Sequence, residues 1–147
     1  MKVRYVMCSA PQAVNLGASV EEAGRMMAAF GLTAVPVLFE GRPIGVVTDH
    51  TLTTRVVARG KNPHYTRVHE IMDPHPTCVK ENAEVEIARL VLERAHVHQA
   101  IVCDDSGMLS GVVSLFDLER AAYEEAQGTE PTDGREPQGP KPRPWLI

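Results

Sequence analysis

Aromatic residues make up only 5% of this 147-residue chain, and it has three cysteines and one tryptophan. It has no excess of positive charge, since 15 Lys and Arg face 19 Asp and Glu for a formal net charge of -4. That balance gives no global electrostatic footprint for nucleic acid or an anionic membrane surface. No apolar run approaches the roughly 20 residues that cross a bilayer as a helix. The opening Met1-Lys2-Val3-Arg4-Tyr5-Val6-Met7 is too short for the core of a signal peptide. Cys8, Cys78 and Cys103 are odd in number and lack metal-ligand spacing. They read as small core-filling residues of a reducing compartment, so the expected location is cytoplasmic.

Several chemistries are missing as well. There is no phosphate loop, no dinucleotide fingerprint and no Gly-x-Ser-x-Gly elbow. His96-Val97-His98 would put two imidazoles on one face of a strand, but no third ligand is fixed, and zinc takes three or four. The expectation is therefore no catalytic residue, no metal, and no enzyme. His98 is expected to line a binding cleft, and His96 to cap a helix end or face solvent.

What the chain has is an internal repeat. Met7 aligns with Met72, Val14 with Val79 and Val20 with Val85, all at a shift of 65. Gly41 with Gly107, Gly45 with Gly111 and Leu52 with Leu118 align at 66, which places one inserted residue near Ser106 in a turn. The expected division is repeat one at 1–62, repeat two at 63–126, and a Pro/Gly-rich tail at 127–147. The tail's composition rules out regular structure, and its apolar end, Trp145-Leu146-Ile147, is suited to docking.

Each repeat reads as strand, helix, strand, strand, helix, an α+β arrangement. Ser19-Val20-Glu21-Glu22 is a capping box opening a helix to Phe30, with Gly31 as its stop. Its expected apolar stripe is Val20, Ala23, Met27 and Phe30; that of the second copy is Val85, Ala88, Val91, Leu92 and Ala95. Glycine-containing turns after Phe39 and Cys103 mark hairpins. Pro36 has no N–H, so a strand start or edge is expected for it. The second helices are expected at Asp49 to Ala58 and Leu115 to Glu125.

The last strand–helix junctions carry the chemistry. They read Gly45-Val46-Val47-Thr48-Asp49-His50-Thr51 and Gly111-Val112-Val113-Ser114-Leu115-Phe116-Asp117. A helix start attracts anions through unpaired N–H groups and the helix dipole. A carboxylate three residues after the hydroxyl can accept hydrogen bonds from two ribose hydroxyls. The first copy has Thr51 where the second has Asp117. The same residues are also a routine helix cap, and the two roles are compatible. For Thr48 with Asp49, capping alone is the favoured reading.

With Met7 and Met72 at the repeat starts, Val20-Glu21-Glu22-Ala23, Val35-Pro36-Val37 and the two Gly-Val-Val-Thr/Ser junctions, residues 4 to 125 resemble a pair of cystathionine-beta-synthase (CBS) domains, a Bateman module. The resemblance implies tandem repeats packed sheet to sheet about a pseudo-twofold axis. It implies a regulatory module without catalysis of its own, binding AMP, ADP, ATP or S-adenosylmethionine between the repeats, and needing no cofactor. By position it assigns ribose to Asp117 and phosphate to Ser114, with Leu115 and Phe116 between them. It places Val97 and His98 beside the base, with Thr77 and Met72 lining the cleft. The matching positions of the first copy are Met7, Gln12, Leu32, Thr33, Thr48 and Thr51, of which Thr33 and Thr48 are retained as candidate contacts. Thr51 makes that second site degenerate or empty. The expected partners are an adenosine nucleotide, a second copy of the chain as a homodimer and an unidentified protein, with no nucleic acid and no membrane. The alternative is a dimerising or partner-binding scaffold whose ligand sites have decayed.

Overall fold

The computed structural model describes residues 1–9 and 11–128. The expected tail falls outside the described residues except for Gln127 and Gly128. A 3-10 turn at Val3–Tyr5 leads to β1 (Cys8–Ser9) and β2 (Val14–Asn15), followed by α1 (Val20–Phe30), β3 (Ala34–Phe39) and β4 (Arg42–Thr48). The chain continues through α2 (Asp49–Leu52), a π-helical turn at Thr53–Val57 and α3 (Val68–Ile71). The second repeat supplies β5 (Cys78–Lys80), α4 (Val85–Ala95), β6 (Gln99–Cys103), β7 (Leu109–Ser114) and α5 (Leu115–Ala126).

These elements form two compact units that cut across the repeat boundary expected at 62/63. Among the described residues, one unit comprises Gln12–Pro76 and the other joins the chain's first residues, up to Pro11, to residues 77–128. The cause is strand pairing. Cys8 and Ser9 of β1 pair antiparallel with Val112 and Gly111 of β7, giving a sheet ordered β1-β7-β6-β5. The opening segment of each repeat, ahead of β2 or β5, is thus lent to the other repeat's unit.

In the Gln12–Pro76 unit the sheet order is β2-β3-β4, with β2 parallel and β4 antiparallel to β3. Ser19 caps α1 by accepting the Glu22 N–H at 3.0 Å, and Gly31 ends it in the left-handed region at φ 63°. Val20, Ala23 and Met27 are buried against Val35, Val37 and Val47, each contributing roughly 1.5–3 kcal/mol for a fully buried Val or Met. Phe30, expected in that stripe, is the last residue of α1 and is exposed. Glu40 and Gly41, at φ 52° and 79°, form the tight primed turn whose twist suits a hairpin.

Pro36 lies within the central strand rather than at a start or edge. Its partner Val46 uses its own N–H and C=O on Asp73, so Pro36 and Val46 form a non-hydrogen-bonded pair. On the other side, β2 pairing begins only at Val37. The second copy's Ile101, at the position of Pro36, donates its N–H to the Thr77 carbonyl at 2.9 Å, so the proline gives up that one bond. The second helix was expected as one α-helix to Ala58, yet after Leu52 it widens into a π turn. The Thr53 and Thr54 hydroxyls donate to the carbonyls of Asp49 and His50 at 2.9 and 2.8 Å, and Ala58 N–H bonds five residues back to Thr53. Such hydroxyl back-bonds compete with the helical ladder.

The other unit is built alike. Val85, Ala88 and Leu92 of α4 pack with Val102, Val113 and Leu118, and Leu92 and Leu118 are fully buried. Val91 and Ala95, expected in the α4 stripe, are exposed, because α4 buries a narrower face than its apolar pattern covers. His96 ends α4 in the left-handed region at φ 56°, the position Gly31 holds in the first copy, and it is exposed. Asp104 folds the β6–β7 turn by accepting the N–H groups of Ser106 and Met108 at 2.8 and 3.0 Å.

Candidate functional site

The β7–α5 junction is a corner in which most of the predicted site residues of the second copy meet. Ser114 is the last residue of β7 and the N-cap of α5; its Oγ accepts the Asp117 N–H at 3.1 Å. That hydroxyl keeps its own proton and can still donate to an anion at the helix start. Leu115 N–H donates to the His98 carbonyl at 2.7 Å, which fastens the β6 entrance to the first residue of α5. Thr77, just before β5, accepts the Ile101 N–H at 2.9 Å and so lies one strand further over. Val97 is half-buried against the core below, while the His98 residue is exposed.

Asp117 is buried, with 6% of its surface exposed. Among the described residues its carboxylate pairs with one side chain, Arg120, whose Nη2 stands 3.3 Å from Oδ1. The Arg120 guanidinium also lies 5.9 Å from the centre of the Phe116 ring, which is itself exposed. The corner therefore presents a fixed acid, a hydroxyl, a helix start and an exposed aromatic ring. This set suits a polyhydroxylated, anionic, ring-bearing molecule.

The first-copy corner has the same skeleton and different chemistry. Asp49 N–H donates to the Thr33 carbonyl at 3.1 Å, as Leu115 does to His98. Thr48 and Thr51 cap one another: Thr51 N–H reaches Thr48 Oγ1 at 3.0 Å, and Thr48 N–H reaches Thr51 Oγ1 at 2.8 Å. Thr51 Oγ1 donates in turn to the Thr48 carbonyl at 2.9 Å. The hydroxyl standing where the second copy has an acid is buried and engaged with its own turn. The α-helix behind it is one turn long.

Thr77, Val97, His98 and Asp117 belong to one unit and Met72 to the other. Met72 packs on the core of the Gln12–Pro76 unit beside Gly45, held by Arg55, which donates to the carbonyls of Ile71 and Met72 at 3.1 and 2.8 Å. Met7 is the residue that packs on the unit holding Asp117. Sequence reasoning passed over Arg55 and Arg120. Arg120 had a signal, an Asp–Arg pair three apart on one helix; Arg55 had none. Among the described residues no three His, Cys, Asp or Glu side chains gather as a metal site. No helix among them is long and apolar enough to cross a membrane.

Twin α+β units, each ending in a capped strand–helix corner, define a duplicated module of the tandem-repeat class. The chain belongs to the CBS domain family, whose model matches residues 3–58 and 68–124. It is 32% identical over 141 residues to the meiotically up-regulated gene 70 protein of Schizosaccharomyces pombe, a match covering 87% of this chain and 19% of that protein. The chain spans less than half the length of that protein and of two further curated relatives it matches, from Methanopyrus kandleri and Arabidopsis thaliana. Among solved structures, a conserved CBS domain protein of unknown function from Thermoplasma acidophilum superposes with a TM-score of 0.73 at 26% identity, covering 82% of this chain and 68% of that one. Two ligand-bound structures share the fold alone. They are CBSX2 in complex with AMP (TM-score 0.69, 23% identity, covering 85% of this chain and 98% of that one), and a CBS domain pair in complex with 5′-methylthioadenosine and S-adenosyl-L-methionine (TM-score 0.73, 19% identity, covering 85% and 98%).

Proposed function

We propose that this chain is a regulatory module, without catalysis of its own, that binds an adenosine-containing ligand of the AMP, ADP, ATP or S-adenosylmethionine kind at the Asp117 corner. The observation that carries the reading is the buried Asp117 carboxylate at the start of α5, three residues after the capping Ser114. Burying a carboxylate is costly unless it has partners, and one half-exposed arginine is a modest partner for it. Two ribose hydroxyls would supply the rest. Ser114 and the helix start would face phosphate, and Phe116 or Val97 would flank the base. Family relatives solved with AMP, or with 5′-methylthioadenosine and S-adenosylmethionine, support the ligand class. Met72 keeps its assignment with the Asp117 set, and Thr33 and Thr48 are assigned to a second position that lacks an acid. Ligand would act by favouring one conformation or association state, to the extent of its difference in affinity between states. The output is a partner protein or self-association as a homodimer, in the cytoplasm.

The second reading, a scaffold with decayed sites, draws on the Thr48–Thr51 pair, whose hydroxyls are spent on mutual capping. Thermal denaturation with AMP, ADP, ATP and S-adenosylmethionine, each at about 1 mM, separates the two. A ligand at 100 times its dissociation constant adds roughly 2.7 kcal/mol, a shift of several degrees. A shift with at least one compound, abolished in Asp117→Ala, is expected. No shift with any compound favours the scaffold, and an undiminished shift in Asp117→Ala moves the site elsewhere.

A further inference from the structure

We infer that Arg120 sets the ligand class at the Asp117 corner, selecting a phosphate-bearing nucleotide over an uncharged nucleoside or a cationic sulfonium compound. The inference rests on the reading above and narrows it. Arg120 is the only basic residue of α5, whose sequence Leu115-Phe116-Asp117-Leu118-Glu119-Arg120-Ala121-Ala122-Tyr123-Glu124-Glu125-Ala126 is otherwise acidic or apolar. Long helical side chains lean back toward the helix start. From the second turn, Arg120 accordingly reaches the first turn, where its Nη2 meets Asp117 Oδ1 at 3.3 Å and its guanidinium lies 5.9 Å from the Phe116 ring centre. This carries a cation to the end of α5 where Ser114 and the helix dipole already favour negative charge.

Arg120 is half-exposed while Asp117 is buried, so the pair offsets part of the cost of burying the carboxylate and still leaves the guanidinium open to solvent. The guanidinium carries five N–H donors, and Asp117 Oδ1 is the one acceptor recorded for it among the described residues. The remaining fork is free in chemistry and geometry to grip phosphate oxygens in the bidentate manner that arginine favours. An uncharged 5′-substituent gains nothing from that cation, and a sulfonium group is repelled by it.

The test is isothermal titration of the full chain with AMP, adenosine and S-adenosylmethionine, repeated for Arg120→Gln and Arg120→Lys. The unmodified chain is expected to bind AMP most tightly. Arg120→Gln should weaken AMP by about tenfold, as loss of charge-assisted hydrogen bonds does, while adenosine changes by less than about twofold. Arg120→Lys should restore part of the difference, since it keeps the charge and loses the fork. Equal losses for AMP and adenosine in Arg120→Gln, or tighter binding of S-adenosylmethionine than of AMP, would overturn the inference and leave the nucleotide reading standing. Failure of the unmodified chain to bind all three would overturn the nucleotide reading itself. Melting midpoints of the variants within about two degrees of the parent show that folding is not the cause.

Discussion

Met7 lies across Gly111: a β-carbon built on that glycine would stand 2.9 Å from Met7 Sδ and 2.6 Å from the Cys8 carbonyl oxygen. The same relationship joins Met72 to Gly45, where the second close neighbour is the Asp73 carbonyl at 2.8 Å. In each unit a strand glycine is the floor under a borrowed segment, and backbone on the far side cannot give way as a flexible side chain can. Gly111→Ala should therefore destabilise by about 1–3 kcal/mol, the cost of overpacking a filled interior. At roughly 2–4 °C per kcal/mol this is several degrees off the thermal midpoint. Gly24, inside α1 with nothing near its would-be β-carbon, is the control: Gly24→Ala should stabilise by about 0.4–1 kcal/mol. Circular dichroism melts of the two variants should move in opposite directions.

Thr51 gives a second prediction. Its hydroxyl satisfies the Thr48 N–H, and Thr51→Val removes that acceptor while keeping the side-chain shape. Loss of the cap should cost about 1 kcal/mol. If ligand binds through Asp117, the rise in melting midpoint that nucleotide produces should be the same in Thr51→Val as in the parent. A loss of that rise would mean that the Thr48–Thr51 corner contributes to binding.

The periodic parts of this fold were legible because each rests on local physics. Ser19 and Gly31 bracket α1 at the expected residues, and the repeat shift brought Gly45 over Gly111 and Thr48 over Ser114. The exchange of Met7 and Met72 between units was not legible. It depends on β1 choosing β7 across about a hundred residues, and two residues of strand carry no pattern that names a partner. Pro36 was misplaced because the rule about missing N–H groups concerns ladder position, which only the Asp73–Val46 bridge reveals. At the candidate site the hydroxyl and the acid were visible as residue types. The Arg120 contact was not, because an Asp–Arg pair at this spacing is also ordinary helix-surface chemistry.

His96 supplies a third prediction. It holds φ 56° at the end of α4, where a β-carbon is crowded, while the first copy uses Gly31 at φ 63°. His96→Gly should relieve that crowding, partly offset by the greater freedom of glycine in the unfolded chain. The expected net gain is about 0.5–1 kcal/mol, read as a higher denaturant midpoint with an unchanged slope. A loss of stability would show that the His96 side chain makes a contribution larger than the backbone strain.

The Cys78–Cys103 pair yields a prediction about pH. Cys78 on β5 is set opposite Ile101, and Cys103 follows two residues along β6, so the two side chains share one face of the sheet. Although Cys78 as a residue is exposed, its thiol faces Cys103. Burial of the sulfur, followed by the neighbouring Cys103, pushes the Cys78 thiol up to about 11. Thiolate is the reactive form, so Cys78 should resist iodoacetamide at pH 8 far more than an unperturbed thiol does. Its rate should climb with pH until about 11, followed by mass spectrometry of the labelled peptide. The stability sign follows from the same shift. A thiol whose affinity for its proton is greater when folded stabilises fully below its unfolded pKa of about 8.5, and that contribution is lost as pH rises through the folded value. Cys78→Ser, whose hydroxyl does not titrate in this range, should flatten the decline in stability between about pH 9 and 11. A decline of equal depth in Cys78→Ser would assign the alkaline loss to other groups.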